Sequence, residues 1–401
     1  MNELKSPQKN NLAYTYIIIL WILPLMDSLN GLINGGGNEN GISLGIIYRF
    51  VIVIISFSYW LFYGIDRKWF IYFLTLLALL IVSILINNDN DMFSYIILLF
   101  KLVLPIIIII TIRCLSNRNL ITRENIDFLM NSWVIIFPLT LLIAYALGLG
   151  FSTYGDGTSA GGANVGFKGL YYAQNDISYI IDILYLYIMN KLSKKINIRN
   201  IIEFLLVLSS SLLMGLKGNF LIILLVTIIY VFKAEKKVSK NLQKILLFSV
   251  IIFSIIVFCS IFSDNINAMI ARWQYFYNKN GLISFLTSTR SDRIIPTYNW
   301  LIPQLGILGI FMGSGFRYTS VVISKFIEMD FFDIFFQLGI IGCFLIYGFY
   351  IRIYQKNSHV NFYSAALLLT LLISTLSGHV LETALSGVFL GVICGGIIVK
   401  E

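Results

Sequence analysis

Apolar stretches of about 17–25 residues follow one another along most of this 401-residue chain, and each is long enough to cross a hydrocarbon layer as a helix. Such a chain cannot fold as a water-soluble globule. Charged residues are 12% of the total and hydrophobic residues 58%, whereas soluble domains carry about 25% charged residues. Inside lipid each backbone N–H and C=O must be satisfied within its own segment, which selects helices. The expected fold class is therefore all-α: a polytopic integral membrane protein, residues 1–401 forming a single domain of about twelve transmembrane helices. The spans fall near 12–32, 43–63, 69–87, 92–113, 127–149, 171–190, 199–216, 218–233, 244–263, 332–353, 361–377 and 381–399. The first apolar segment is too long for a signal-peptide core and lacks a small-residue cleavage site, so it is expected to be retained.

Orientation follows from the placement of lysine and arginine. With the N-terminus inside, the cytoplasmic segments hold 19 of the 29 basic residues, among them Arg67, Lys68, Arg113, Arg118, Arg352 and Lys356. Both termini are then cytoplasmic. This distribution, rather than nucleic-acid binding, accounts for the net charge of +9. Cys114, Cys259, Cys343 and Cys394 sit in or at the ends of apolar segments, with neither metal spacing nor a disulfide framework. The chain has no Walker A motif and no zinc-ligand cluster, so neither ATP hydrolysis nor zinc chemistry is expected.

The longest polar interruption, 264–331, is expected to be a large extracytoplasmic loop before the tenth span. Within it, Ile294–Gly313 is apolar and span-length, but it carries Pro296, Asn299, Pro303 and Gln304 with three glycines. A re-entrant or interfacial piece is the expected form, because irregular backbone at that depth must pack on protein or line a cavity.

The loop carries Thr289-Arg290-Ser291-Asp292-Arg293. Arginine offers a planar fork suited to bidentate phosphate binding, although loop arginines are commonly just solvated. Glu328, Asp330 and Asp333 follow at the entrance to the tenth span, with Asp330 and Asp333 spaced for one helix face. Helix capping explains one such carboxylate, not three. A carboxylate beside an apolar wall can serve as a general base. His379 and Glu382 lie in the last outer turn, Lys217 in the minimal turn Gly215-Leu216-Lys217-Gly218, and Asn175 just before the sixth span's Asp176. The plain readings are an interfacial histidine, a snorkelling lysine and a helix cap at Asn175 or Asp176. The functional readings are an acid–base group, a point charge for phosphate and a contact to a sugar hydroxyl.

Taken in order, these segments resemble a known family. The Tyr172-Ala173-Gln174-Asn175-Asp176 turn, Leu216-Lys217-Gly218, Ser288-Thr289-Arg290, Gly313-Ser314-Gly315-Phe316, Asp333 leading into Gln337-Leu338-Gly339-Ile340-Ile341-Gly342, and Gly378-His379 look like the Wzy-type O-antigen and capsular-polysaccharide polymerases of the O-antigen ligase-like superfamily. The chain departs from ligase-like members in having Lys217 where arginine is common, and Asp330 and Asp333 where His-Asn is common. That departure looks more like the capsule and exopolysaccharide polymerases. The resemblance implies an inverting glycosyltransferase of the bacterial cytoplasmic membrane. It would use no metal, cofactor or nucleotide sugar, and would join polyprenyl-pyrophosphate-linked oligosaccharide repeats at the outer face. It also implies surrounding membrane lipid and, as partner proteins, a chain-length regulator and a flippase. Under it, Arg290, Arg293 and Lys217 bind pyrophosphate, and Asp333, Asp330 or His379 acts as the base. Asn175, Glu328 and Glu382 contact substrate, with Glu382 orienting His379.

Two other classes compete. A lipid-linked oligosaccharide flippase should show repeated halves, and no internal repeat is visible. A secondary transporter should carry several ionisable residues at mid-span, and Lys101 is the clearest one.

Overall fold

The computed structural model describes residues 7–34, 43–87, 92–154, 165–232, 263–320, 326–356, 361–376 and 378–399. The described chain is about 84% helical with almost no sheet. Among those residues, seven helices are long and apolar enough to cross a membrane: Tyr14–Asn34, Leu44–Tyr63, Arg67–Leu85, Tyr95–Asn117, Arg123–Ala146, Ser291–Met312 and Asp330–Gln355. Lys217–Tyr230, Phe362–Leu376 and Ala384–Ile398 are apolar but shorter. An all-α membrane protein accounts for this composition and length.

Several expectations change in detail. The first span, Tyr14–Asn34, carries a break between Trp21 and Leu23 that divides Pro7–Trp21 from Leu23–Asn34. Pro24 sits in the first turn of the second, where its missing N–H costs no hydrogen bond. The expected span 244–263 lies outside the described residues apart from its last position. Ile294–Gly313, expected as a re-entrant or interfacial piece, holds a helix over Ile294–Met312 that breaks at Gly306 (φ 55°, ψ −141°) and has the length and composition of a span. The expected loop 264–331 is thus largely helical where it is described, with Ser263–Leu286 and Ile294–Met312 as its main elements.

By its internal contacts the chain forms two compact units. One comprises Met1–Leu20, Ile47–Asp127 and Asn280–Glu401; the other comprises Trp21–Ile46 and Phe128–Lys279. The division falls inside the helix Ser263–Leu286, beside Gly281, whose backbone is non-helical (φ 77°, ψ 176°).

In the second unit, Gln174–Lys194 packs on Ile198–Met214 and on Lys217–Phe232. Asn197 caps the middle helix by accepting from the Asn200 N–H, and Gly215 ends it in a left-handed conformation. Lys191 and Arg199 both reach the buried Glu203, at 2.5 and 2.9 Å. An antiparallel pair, Phe151–Tyr154 with Val165–Gly169, completes the unit.

In the first unit, Ala384–Ile398 lies along Met92–Asn117. Gly387, Gly391 and Gly395 recur every four residues and face Pro105, Ile108 and Ile112 in turn. A β-carbon at Gly391 would come within 2.8 Å of Ile108, so the small-residue stripe sets how closely the helices approach. That seating fixes the start of the last helix, and with it the turn holding His379 and Glu382.

Ile294–Met312 packs against Asp330–Gln355 by a second close approach. Gly313 and Gly339 both have positive φ with ψ near 180°, a region that only glycine occupies readily. A β-carbon on Gly313 would stand 2.3 Å from the Gln337 backbone, and one on Gly339 would stand 2.2 Å from the Phe311 backbone. The break at Gly339 frees the Phe336 carbonyl from the helical ladder, and the Ser314 N–H and hydroxyl both donate to it, at 2.7 and 3.0 Å. Gly339→Ala should therefore cost at least the ~1–3 kcal/mol of such a conformation, with the backbone clash added. A thermal melt of the purified variant is expected to fall well below wild type, and an unchanged melt would refute this packing.

Candidate active site

The Asp330–Gln355 helix begins without a side-chain cap at Met329. Asp333 reaches back instead. Its Oδ1 accepts the Ile327 N–H at 2.9 Å and the Tyr318 hydroxyl at 2.6 Å, and its Oδ2 accepts the Met329 N–H at 3.0 Å. One turn earlier, Asp330 Oδ2 accepts two backbone N–H groups, from Val380 and Leu381, each at 2.8 Å. Both carboxylates are fully buried. Asp333 ties Tyr318 and residues 327–329 to the helix entrance and Asp330 ties the distant Val380–Leu381 to it, so the predicted shared face becomes a junction of chain segments.

His379 is thereby pinned between carboxylates. Its Nδ1 lies 3.3 Å from Asp330 Oδ1 and 3.9 Å from Asp333 Oδ2, and its Nε2 lies 3.6 Å from Glu382 Oε2. The first contact lacks hydrogen-bond alignment, and Asp330 Oδ1, His379 Nδ1, Glu382 Oε1 and Gln337 Oε1 are all buried without a hydrogen-bond partner among the described residues. Gln337 donates to Glu382 Oε2 and to the Tyr318 oxygen. His379, 16% exposed, is the member of the array that reaches the surface, whereas Asp330, Asp333 and Glu382 are at 0%.

The electrostatics follow from this crowding. Burial pulls the His379 pKa down, but the adjoining Asp330 together with Glu382 and Asp333 outweighs it and raises the value to about 10. The ring is therefore an imidazolium at neutral pH. Burial pushes the Glu382 carboxyl well above its usual range, and His379 only partly offsets this. Burial, reinforced by Asp333 and Glu382, likewise keeps the Tyr318 hydroxyl protonated and able to donate. An apolar cluster of Leu301, Tyr318, Ile327, Met329 and Phe336 forms the adjoining wall, which keeps the local dielectric low and the charges strong.

No family model, curated protein or solved structure matches the chain. Its chemistry is read from its own residues.

The loop arginines belong to the same region. Arg290, 7% exposed, donates from Nη2 and Nε to Glu328 Oε2 at 2.9 and 3.2 Å. Arg293 donates to the Phe326 carbonyl, and the Phe326 ring leans on His379 with centroids 5.8 Å apart. The two arginines and Asp333 thus hold residues 326–329 from opposite sides. This bracing keeps Glu328 at φ 64°, a conformation costing a non-glycine residue about 1–3 kcal/mol.

Lys217 and Asn175 lie in the second unit. Lys217 opens the helix Lys217–Phe232 and is half-buried. Asn175 is the second residue of Gln174–Lys194, whose N-cap is Ala173 with no side-chain cap, so N-capping does not explain Asn175 or Asp176. Six of the nine sequence-predicted site residues, Glu328, Asp330, Asp333, His379, Glu382 and Arg290, are directly linked by hydrogen bonds or ion contacts, or through residues 326–329. Arg293 joins them through Phe326. Tyr318 and Gln337 complete the array and were not among the predicted site residues. The available signal was Gln337 itself, a polar side chain inside an apolar span and one helical turn from Asp333.

Asp330, His379 and Glu382 could also supply metal ligands, since they offer donor atoms within 4.8 Å of one another.

Proposed function

We propose that the chain is a polysaccharide polymerase: an inverting glycosyltransferase that joins polyprenyl-pyrophosphate-linked oligosaccharide repeats. One observation carries this proposal, the buried Asp330–His379–Glu382 array beside the arginine-braced segment 326–329. Transfer from a lipid pyrophosphate needs a base for the attacking hydroxyl and cations for a multiply anionic leaving group. The array offers both within one wall.

Asp330 is the base. Among the described residues its Oδ1 holds no hydrogen bond, and the imidazole of His379, the member that reaches the surface, rests against it without alignment, so an acceptor hydroxyl that displaces the ring can reach it. Asp333 is a poorer base, because three donors already occupy its oxygens. The acceptor oxygen attacks the anomeric carbon and its proton passes to Asp330. The bond from that carbon to the pyrophosphate oxygen breaks, with the electron pair leaving on pyrophosphate. The His379 imidazolium, Arg293 and Arg290 stabilise that charge, and Arg290 exchanges Glu328 for phosphate oxygens.

Chain elongation by the purified protein tests this directly. Supplied with lipid-linked repeats, it should give a ladder of products on a gel, and the ladder should survive a divalent-cation chelator. A ladder lost to chelator and restored by added metal would instead make Asp330, His379 and Glu382 a metal centre. No ladder, with intact repeats moved across a vesicle membrane, would identify a flippase.

A further inference from the structure

A cavity of about 460 Å³ lies at the far end of the Asp330–Gln355 helix, away from the carboxylate array. At about 1.5 Å per residue, the helix sets the cationic end of the cavity at Arg352 about 30 Å from Asp330, and its apolar end at Phe344 about 20 Å away. The cavity has two kinds of wall. Phe344, Leu345 and Phe349 are apolar, and Phe344 is 77% exposed. Lys68, Arg113, Arg352 and Lys356 bring four cations against one carboxylate, Asp66. From Phe344 to Lys356 the helix rises about 18 Å, so the wall passes from bare apolar surface to dense positive charge over roughly the length of a lipid chain.

The cations are poorly neutralised. Asp66 is engaged with the Lys68 backbone N–H at 3.1 Å. Arg113 Nε is buried with no hydrogen-bond partner among the described residues. The Trp69 ring is shared by two cations, Arg113 at 5.6 Å and Lys356 at 5.1 Å from its centroid. Burial, with Arg113, Arg352 and Lys68 nearby, pushes the Lys356 pKa down, and Asp66 opposes this only in part. A second cavity of about 360 Å³ shares Asp66, Trp69 and Arg113 and adds Arg118. The sequence pattern places these basic residues in three loops on one side of the membrane, and the fold gathers them around one space.

We propose that this cavity binds an anionic phospholipid, its phosphate seated among Arg113, Arg352, Lys68 and Lys356 and an acyl chain lying along Phe344 and Leu345. Cation clusters at a membrane surface favour such headgroups electrostatically. The apolar wall selects a lipid over a soluble phosphate. This site is independent of the transfer chemistry proposed above.

Native mass spectrometry of the full-length protein in mild detergent tests it. Wild type should retain phosphatidylglycerol at least 10-fold better than phosphatidylcholine. The double variant Arg352→Gln, Lys356→Gln replaces two exposed side chains, so it should melt with wild type and lose that preference. Equal retention of both lipids by wild type would reduce the cavity to a greasy groove and overturn the proposal. Unchanged retention in the variant would also overturn it, as would displacement of the lipid by inorganic phosphate at equal concentration, which would assign a small-anion site. If the double variant melts early, Lys68→Gln must abolish the preference by itself, and its failure to do so counts against the site.

Discussion

Asp330→Asn should leave the fold intact and reduce glycan transfer by at least about 100-fold, within the usual range for losing a general base. Asparagine is isosteric, and its carbonyl oxygen can keep both backbone donors, Val380 N–H and Leu381 N–H. What disappears is the negative charge beside His379 and the open oxygen proposed to take the proton. The residual rate should carry a second mark. In wild type the imidazolium persists until pH rises through about 10. The raised pKa also means that the pair's contribution to stability is fully present below about pH 6.5, the ordinary histidine value, and is lost as pH climbs through 10. Without the Asp330 charge, the proton leaves His379 at lower pH, so the alkaline limb of the rate profile should move towards neutrality. An unmoved limb, or near-normal rates, would remove Asp330 from the mechanism.

The same swap is less informative at Asp333. Capping carboxylates ordinarily tolerate asparagine, but here both oxygens accept hydrogen bonds. An amide nitrogen on one side would face a backbone or phenol donor, so Asp333→Asn should loosen residues 327–329 whatever its catalytic role. A drop in melting temperature that accompanies the loss of activity would mark it as a brace.

Arg290→Ala should abolish polymer formation while protein still accumulates in the membrane. Removing one transition-state charge contact commonly costs 10²–10³-fold. The substitution also strands Glu328 at its left-handed backbone without the partner that holds it. Arg290→Lys should recover only part of the rate, because an ammonium cannot reproduce the guanidinium's paired contacts from Nη2 and Nε. Normal polymer from the Arg290→Ala, Arg293→Ala double variant would end the proposal that these residues hold pyrophosphate.

Much of the helical layout was legible because lipid makes length and apolarity decisive. The expected span 43–63 is the helix Leu44–Tyr63, and 332–353 lies within Asp330–Gln355. The split at Ile22 depends on tertiary seating and leaves no gap in hydropathy. Ile294–Gly313 was hard to read in sequence for a physical reason. Its prolines and glycines argue against a regular helix, yet Pro296 falls in the first turn and the break is confined to Gly306. The division near Gly281 had no apolar signature either.

The site was half legible. Asp330 and Asp333 were expected on one face, and His379 and Glu382 were singled out as scarce outer ionisable groups. What brings 330 to 379 is the backbone capture of Val380 and Leu381 by one carboxylate, a contact across about fifty residues that no spacing rule encodes. Tyr318 was invisible for the same reason. Its role comes from donating to Asp333 across a packed wall, which its setting in Arg317-Tyr318-Thr319 does not announce.

The transfer chemistry itself can be counted. Purified protein given a defined polyprenyl-pyrophosphate-linked repeat should release one polyprenyl pyrophosphate for each glycosidic bond formed, with inversion at the anomeric carbon and with both products absent from His379→Gln. Lipid pyrophosphate released without new glycosidic bonds, or bonds formed at full rate by His379→Gln, would contradict an active site at Asp330, His379 and Glu382.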